Sequence, residues 1–238
     1  MWYNKLNCNT TPPIWKGTAM KLIDPDVNVM KQTHDLIDMI DSLPCASLSD
    51  FEADRTLVIL VDIINGFIRE GAMADGRIAD IIPPNVKLLR AAKERGMRVV
   101  AATDCHESDA AEFQMFPTHC VVNTSESQVV KELTDEGGFE VIPKNSTNSL
   151  NALRLREIIE ETGIRDFIIT GDCTDICIMQ LCLALKTYFT EQNINPRIVV
   201  PLDCVETYDA PYHYADFANL AAVKFMADSG VTIVKEIV

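Results

Sequence analysis

Apolar and polar residues alternate with two different periods from residue 56 to the end of the chain. Short apolar runs rich in Val and Ile predict strands, and longer segments with apolar residues three or four positions apart predict helices. Because short apolar strands joined by helical crossovers bury both of their faces, the pattern predicts an α/β fold with a mostly parallel sheet. The predicted strands span 57–63, 97–102, 139–142, 167–170, 197–200 and 231–234, and the predicted helices span about 81–94, 127–133, 150–161, 175–190 and 210–228.

Residues 1–50 do not follow this alternation and contain Pro12-Pro13 and Asp24-Pro25. Proline restricts both itself and the residue before it, so these positions disfavour long regular elements. Apolar residues between positions 36 and 43 can share one side of a short helix. We therefore predict that residues 1–50 are an N-terminal extension packed on one α/β domain formed by residues 51–238.

The chain is acidic, with a formal net charge of -14 and a pI near 4.6. Such a chain repels phosphate backbones and anionic membrane surfaces, and no cluster of Lys and Arg offsets this charge. Nucleic acids and membranes are therefore not expected as partners.

Eight cysteines are scattered along the chain without a compact disulfide framework or the Cys-x-x-Cys pairs of a zinc ribbon. This usage predicts a reducing compartment. The first residues lack the apolar region of a signal peptide, and no run reaches the roughly 20 apolar residues that span a bilayer. We expect a cytoplasmic protein.

The segment from Asp166 to Gln180 predicts a strand, a sharp turn and then Cys177 at the start of a helix. Unpaired N–H groups and the positive end of the helix dipole favour a thiolate there and can hold a developing oxyanion. The alternative is a buried cysteine that packs as a small apolar side chain. Residues at the ends of the other strands decide between the two.

Two further ionisable residues follow predicted strands, Asp62 after the first and Lys144 after the third. Taken alone, Asp62 fits either a helix N-cap or a general base, and Lys144 fits a solvated surface residue. In an open α/β sheet, however, ligands bind at the carboxyl ends of the strands. With Cys177, these residues end three different strands and together predict nucleophilic catalysis.

The second strand ends in Asp104-Cys105-His106. Residues two apart in an extended segment point the same way, so Asp104 and His106 converge while Cys105 faces away. A carboxylate and an imidazole suit zinc, iron or manganese, and a hydrogen-bonded pair on a loop is the alternative. Neither His34 nor His213 is assigned a catalytic role.

Five motifs, in order along the chain from about residue 57, resemble those of the isochorismatase-like cysteine hydrolases and, within that superfamily, the nicotinamidases. The resemblance implies a six-stranded parallel sheet in a Rossmann-like three-layer αβα arrangement, with Asp62, Lys144 and Cys177 as the catalytic triad. The motifs are Asp62…Asn65-Gly-Phe67, Thr103-Asp104-Cys-His106, Phe116-Pro-Thr-His119-Cys-Val, Lys144 and Gly171-Asp-Cys-Thr-Asp-Ile-Cys177.

The resemblance also implies one divalent metal ion, with zinc expected first and iron or manganese as alternatives. Asp104, His106 and His119 are its implied ligands. Glu112 is a fourth candidate, because some resembling members use glutamate as a ligand. In nicotinamidase-like sites the metal contacts the pyridine nitrogen, which makes it an anchor for the substrate.

For the oxyanion hole, the resemblance implies the N–H groups of Cys173 and Cys177, with a cis peptide bond between Asp172 and Cys173. Asn123 departs from the family pattern, since glycine is frequent at its position. Neither the sequence nor the resemblance explains this asparagine.

We therefore expect an amidohydrolase that cleaves a small aromatic amide, nicotinamide first, through a cysteine thioester, in a homo-oligomer. Phe67, Phe113 and Phe116 can sandwich a flat ring.

Two alternatives stay open. One is a related hydrolase of carbamoyl or ureido substrates, which would not need the metal cluster, and the other is a non-catalytic metal- or ligand-binding member. A dinucleotide-binding oxidoreductase is disfavoured, because no Gly-x-Gly-x-x-Gly follows a strand.

Overall fold

The computed structural model describes residues 29–238, and within that range seven strands form one sheet whose paired strands are all parallel. The strands are β1 (Thr56–Val61), β2 (Arg98–Asp104), β3 (Glu140–Lys144), β4 (Asp166–Asp172), β5 (Arg197–Pro201), β6 (Val205–Glu206) and β7 (Thr232–Val234). The helices are α1 (Val29–Asp41), α2 (Asn65–Ile68), α3 (Ile82–Glu94), α4 (Lys131–Glu136), α5 (Leu153–Thr162), α6 (Met179–Glu191) and α7 (Ala215–Asp228).

The strand order is β3-β2-β1-β4-β5-β7, and the short β6 pairs with the last two residues of β4. The chain runs outward from β1 to β3 and then returns to the other side of β1 with β4. Open α/β sheets bind ligands at such a reversal, outside the carboxyl ends of the strands. The ends of β1, β2, β3 and β4 therefore border the expected site.

The sheet separates two apolar cores, because successive side chains of a strand point to opposite faces. Leu57, Ile59 and Val61 of β1 belong to one core, together with residues of α5, α6 and α7. Val58 and Leu60 belong to the other core, together with residues of α3 and α4. Helices thus cover both faces of the parallel sheet, which confirms the predicted α/β class and its three layers.

The prediction of six strands is wrong, because the structure adds β6 between β5 and α7. This strand has two residues, which pair with Gly171 and Asp172 at the end of β4. Two residues are too few to show a strand period in a sequence. The last helix also begins later than predicted, at Ala215, because a hydrogen-bonded turn precedes it.

Part of the predicted N-terminal extension lies within the described residues. α1 contacts α7, and Ile40 and Leu43 pack against the core that α5, α6 and α7 share. Ala46 then forms a parallel bridge with Ile237. Residues 1–28 lie outside the described residues, and the boundary at residue 50 stays a prediction.

Among residues 29–238, none of the helices combines the length and apolar character needed to cross a membrane. The cysteines of this part, seven of the eight in the chain, are free thiols. Five of these thiols are buried. Most of the described cysteines are therefore buried thiols and not disulfide partners.

Candidate active site

The candidate site begins at Asp62, the first residue after β1. Its side chain is fully buried, and its N–H donates to Ala102 O at 2.8 Å, which ties this turn to β2. The φ angle of Asp62 is 55°, in the left-handed region that non-glycine residues seldom adopt. Such conformations persist where surrounding contacts enforce them, and they cluster at functional sites.

Lys144, the last residue of β3, lies between two carboxylates. Its Nζ is 2.8 Å from Asp62 Oδ2 and donates a short hydrogen bond to Asp104 Oδ1. The same Nζ lies 3.9 Å from the Sγ of Cys177. Asp62 is also held by β2, because the Asp104 N–H donates to Asp62 Oδ1 at 2.7 Å. One buried ammonium group thus contacts the predicted base, the predicted nucleophile and the end of β2.

Cys177 lies in a π-helical turn, Thr174–Ile178, that joins β4 to α6. The peptide bond between Asp172 and Cys173 is cis, as the resemblance implies. The Cys177 side chain is buried, and its Sγ lies within 4.8 Å of an Asp62 carboxylate oxygen. The structure therefore brings the three predicted triad residues together from three strand ends.

Gly171 allows β4 to approach β1 this closely. Its φ angle is 114°, and a Cβ at this position would overlap the carbonyl oxygen of Val61. Only glycine adopts this φ angle without strain and leaves room for the Val61 carbonyl, so any other residue would displace the neighbouring strand. The approach matters for the site, because Asp62 directly follows Val61 and the turn of Cys177 directly follows β4.

The ionisable groups of the site strongly affect one another. Burial raises the pKa of Asp62 to about 7, the nearby charge of Asp104 adds to the rise, and Lys144 opposes it. Burial alone would lower the pKa of Lys144, but the negative charges around it raise that pKa well above its usual value. For Asp104, burial is outweighed by the charge and the hydrogen bond of Lys144 and by the two nearby histidines, so its pKa falls below its usual range. Asp62 can therefore change its protonation state near neutral pH.

The sequence predicts a stabilised thiolate at Cys177, and the structure differs on this point. Burial raises the pKa of the Cys177 thiol well above its usual value. Lys144 lowers this pKa, but the carboxylates of Asp62 and Asp104 add to the rise. The resting thiol is therefore protonated at neutral pH and needs a base to become a nucleophile.

A second cluster, formed by Asp104, His106, Glu112 and His119, lies beside the first. One possible ligand atom from each residue lies within 4.8 Å of the others, and all four side chains are buried. His106 Nε2 is 3.6 Å from Asp104 Oδ1 and 3.9 Å from Glu112 Oε1. His119 Nε2 is 3.7 Å from Asp104 Oδ2.

The hydrogen bonds of the two histidines suit a metal site. His106 Nδ1 lies 2.8 Å from Asn145 Oδ1, and His119 Nδ1 lies 2.8 Å from Pro117 O. Because both partners are acceptors, each Nδ1 carries a proton and each Nε2 presents a lone pair towards Asp104. The buried Nε2 of His106 has no hydrogen-bond partner among the described residues. Two imidazoles and two carboxylates therefore fit a divalent ion such as zinc, with outer hydrogen bonds that orient the rings.

A narrow cavity of about 20 Å³ lies between the two clusters. Phe67, Phe116 and Tyr208 line it. Phe113 packs instead against His106, with 5.4 Å between the ring centroids. This volume holds about one water molecule, so a planar ring enters only when the aromatic side chains move apart.

Two residues of this region, Asn145 and Tyr208, are not predicted from the sequence, and Asn123 is not explained by it. Asn145, which orients His106, follows Lys144 directly, and its place at a strand end was the available signal. Tyr208 lies in a segment without a regular period, so no pattern marked it. Asn123 has a φ angle of 63°, and asparagine tolerates this left-handed conformation better than most residues, which explains why it can replace glycine.

The family model of the Isochorismatase domain matches residues 56–231, from the start of β1 almost to β7. The chain therefore belongs to the isochorismatase family, whose members are hydrolases, and this confirms the predicted resemblance. Both residue clusters lie within the matched range.

Curated relatives of this chain include several amidases and one protein described as a probable inactive nicotinamidase. Nicotinamidase 1 of Arabidopsis thaliana is 27% identical over 177 residues, which cover 66% of this chain and 72% of the relative. A probable inactive nicotinamidase of the same plant is 25% identical, over 70% of this chain and 88% of the relative. The ureidoacrylate amidohydrolase RutB of Methylorubrum extorquens is 25% identical, over 54% of this chain and 62% of the relative.

Solved structures share the fold at lower identity. A pyrazinamidase of Pyrococcus horikoshii in complex with zinc has a TM-score of 0.63 and 23% identity, over 76% of this chain and 99% of its own. An N-carbamoylsarcosine amidase from Thermoplasma acidophilum has a TM-score of 0.64 and 22% identity, over 76% of this chain and 96% of its own.

Proposed function

We propose that the chain is a cysteine-dependent amidohydrolase that converts a small aromatic amide, nicotinamide first, to the free acid and ammonia. The convergence of Asp62, Lys144 and Cys177 in one buried site carries this proposal. Burying ionisable groups costs solvation free energy, and such clusters are concentrated at functional sites.

In the proposed reaction, Asp62 first accepts the proton of the Cys177 thiol. The pKa of Asp62, about 7, suits this transfer near neutral pH. The sulfur, 3.9 Å from the ammonium group of Lys144, then attacks the carbonyl carbon of the amide. We assign the backbone N–H groups of Cys173 and Cys177 to the oxyanion, and donors of this kind each contribute about 2.7–4 kcal/mol.

The second half of the reaction restores the enzyme. The carbon–nitrogen bond breaks as Asp62 returns its proton to the leaving ammonia, and a thioester on Cys177 remains. Water then attacks the thioester while Asp62 accepts a proton from it. The carbon–sulfur bond breaks, the acid leaves, and the proton returns to the sulfur.

We further propose that Asp104, His106, Glu112 and His119 hold one divalent ion, with zinc as the first candidate. When bound, the ion supplies an electrophilic contact for a lone pair of the substrate. Asp104 also accepts a hydrogen bond from Lys144, so the two clusters share one carboxylate. This shared carboxylate fixes the position of the ammonium group relative to the ligand set.

The cavity between the clusters restricts the substrate. A suitable molecule presents an electron-pair donor towards the ligand cluster and a carbonyl carbon towards Cys177. Phe67 and Phe116 favour a flat, apolar body between these two groups. Nicotinamide combines a ring nitrogen and a carboxamide on one flat ring.

A second candidate substrate is a ureido or carbamoyl compound, which the ureidoacrylate amidohydrolase relative favours. The same three catalytic residues would serve, but such a substrate has no ring nitrogen for the ion. A non-catalytic binding role is a third candidate, since one relative is described as probably inactive. This chain nevertheless keeps all three residues of the predicted triad.

Ammonia release from a panel of amides distinguishes these candidates. Nicotinamide should be hydrolysed with a kcat/KM at least about 100-fold above that of benzamide, which has nearly the same shape but no ring nitrogen. Equal values would contradict the ion contact. Turnover of ureido or carbamoyl compounds alone would favour the second candidate, and no turnover by metal-loaded protein would favour the third.

We also propose a cytoplasmic location and a homo-oligomer. Apolar surface on α7 supports the oligomer, since Phe217 is 64% exposed and Phe225 is 58% exposed. Light scattering on the purified chain measures its mass in solution. A monomer at high concentration would contradict the oligomer.

A further inference from the structure

Tyr208 lies in the loop between β6 and α7 and lines the cavity next to Cys173 and Cys177. Burial raises the pKa of its phenol to about 12, so the side chain is neutral at physiological pH. A neutral aromatic ring in this place can pack against a flat substrate. The loop itself has no regular secondary structure, and contacts to other residues must therefore fix the ring.

His213 supplies the first of these contacts. Its imidazole stacks face to face on the Tyr208 ring, with 4.0 Å between the centroids and 8° between the planes. His213 Nδ1 also donates to Tyr208 O at 2.9 Å, so one side chain contacts both the ring and the backbone of Tyr208. Reciprocal backbone hydrogen bonds between Ala210 and His213, both 2.9 Å, close the turn that carries the imidazole.

Asp175 connects this pair to the turn of the nucleophile. His213 Nε2 lies 2.9 Å from Asp175 Oδ2, and Asp175 precedes Cys177 by two residues in the same π-helical turn. The Thr207 hydroxyl donates to Asp175 Oδ1 at 2.7 Å. Both nitrogens of His213 therefore face acceptor oxygens, so the ring is held from two sides. The His213 side chain is 23% exposed and that of Asp175 is 18% exposed, so water screens this pair only in part.

We infer that Tyr208 is a specificity-determining residue that contacts the substrate ring, and that His213 and Asp175 are positioning residues that hold it there. This inference rests on the proposed use of the cavity for an amide substrate. A loop that is already held in place loses less conformational entropy when the substrate binds. The stack therefore lowers KM for flat substrates, and the residues that react are unchanged.

Substrate kinetics test the contact. Tyr208→Ala should raise KM for nicotinamide about tenfold and change kcat by less than about threefold, since a binding contact is lost and the catalytic groups remain. Tyr214→Ala is the matched control, because Tyr214 lies in the same loop and is 65% exposed. His213→Ala should raise KM by a similar factor. The double variant Tyr208→Ala/His213→Ala should be no worse than Tyr208→Ala, because His213 acts through Tyr208.

A second readout does not depend on turnover. Iodoacetamide alkylation of Cys177, followed by mass spectrometry of its peptide, should be at least about fivefold faster in Tyr208→Ala and His213→Ala, because the cavity is more accessible. Tyr214→Ala should react like the wild type. Asp175→Asn replaces His213→Ala if the latter does not fold, since it keeps the side-chain shape and removes the carboxylate that His213 Nε2 contacts.

These outcomes separate the inference from the proposed function. If the wild type hydrolyses nicotinamide and Tyr208→Ala leaves both KM and alkylation unchanged, the inference is overturned and the proposed function stands. If alkylation accelerates but the wild type hydrolyses no amide, Tyr208 still covers the cavity and the proposed function fails. Additive effects in the double variant would overturn the positioning role of His213.

Discussion

The buried acid groups at the ends of β1, β2 and β4 are not equivalent. Asp104 is stabilised as a carboxylate by Lys144, whereas Asp62 has a pKa of about 7. Asp172 is fully buried, and both of its carboxylate oxygens are unpaired among the described residues. Burial raises the pKa of Asp172 well above its usual value, so its neutral form avoids the cost of an unpaired charge. Asp104 is therefore a stable carboxylate, Asp172 is neutral, and Asp62 can change between the two forms near neutral pH.

The pH dependence of hydrolysis tests the role of Asp62. Only the ionised carboxylate can accept the thiol proton, so kcat/KM should rise with pH and level off near the pKa of Asp62, about 7. A bound cation would offset the charge of Asp104 and move the rise of kcat/KM to lower pH. The measurement is a kcat/KM profile for the wild type on a neutral amide. A rise of kcat/KM only above about pH 9 would instead indicate that the thiol must ionise without the help of Asp62.

The pH dependence of stability tests the neutral form of Asp172. Its pKa is raised in the folded state, so the folded chain binds a proton that the unfolded chain releases above about pH 4. Stability is therefore lost as pH rises, by up to about 1.4 kcal/mol per pH unit for this one group. Asp172→Asn should remove this dependence, so the variant should gain stability relative to the wild type as pH rises. Urea unfolding between about pH 5 and 8 measures the difference, and parallel curves for the two proteins would contradict a neutral Asp172.

Among the elements, β1 and β4 determine the geometry of the site. They pair in parallel along the whole of β1, from Thr56 opposite Asp166 to Val61 opposite Gly171. The base follows one of these strands and the nucleophile turn follows the other. A small change in their spacing would therefore change the distance between Asp62 and Cys177.

Substitution of Gly171 tests this spacing. Gly171→Ala should destabilise the fold by several kcal/mol, about 3 or more, because the new Cβ overlaps Val61 O and φ is 114°. Gly76→Ala is the matched control, since a Cβ there meets nothing within 4 Å and φ is not positive. The measurement is the thermal unfolding midpoint of each variant, which should be clearly lower for Gly171→Ala than for Gly76→Ala. A Gly171→Ala midpoint as high as that of Gly76→Ala would show that β4 can shift freely.

The elements and residues that could be predicted from the sequence are those that a local pattern along the chain marks. The β1 and β4 runs are continuous and apolar, and Asp62, Lys144 and Cys177 stand at the end of a strand or in the turn after it, where open sheets bind ligands. The two-residue β6 gave no pattern, since its pairing forms only when β4 is in place. The elevated pKa of Cys177 was also beyond the sequence, because it depends on how deeply three strand ends are buried together. The stack of His213 on Tyr208 is likewise a contact of one turn, with no period to mark it.

At the scale of the whole molecule, metal binding should be coupled to folding. The four candidate ligands come from the end of β2 and the segment after it, and only the folded chain brings them together. An ion that binds only the folded chain raises the thermal midpoint. Purified protein should therefore contain about one divalent ion per chain, and chelation should lower the midpoint.

A pair of glutamate variants tests the ligand set. Glu112→Gln should weaken metal affinity at least about tenfold, because a carboxylate ligand is replaced by a neutral amide. Glu107→Gln is the control, since Glu107 lies in the same segment but is exposed. Elemental analysis after dialysis against a limiting metal buffer gives the comparison. Equal metal content in the two variants would remove Glu112 from the ligand set.

Ammonia release from nicotinamide by the wild type and two cysteine variants tests the central claim most directly. The variants, Cys177→Ala and Cys182→Ala, each remove one buried thiol and are compared at matched metal content and thermal midpoint. The wild type and Cys182→Ala should release ammonia, whereas Cys177→Ala should be slower by about 10⁴-fold or more, because the sulfur on which the proposed thioester forms is lost. Release by Cys177→Ala at a rate close to that of the wild type would contradict hydrolysis through Cys177.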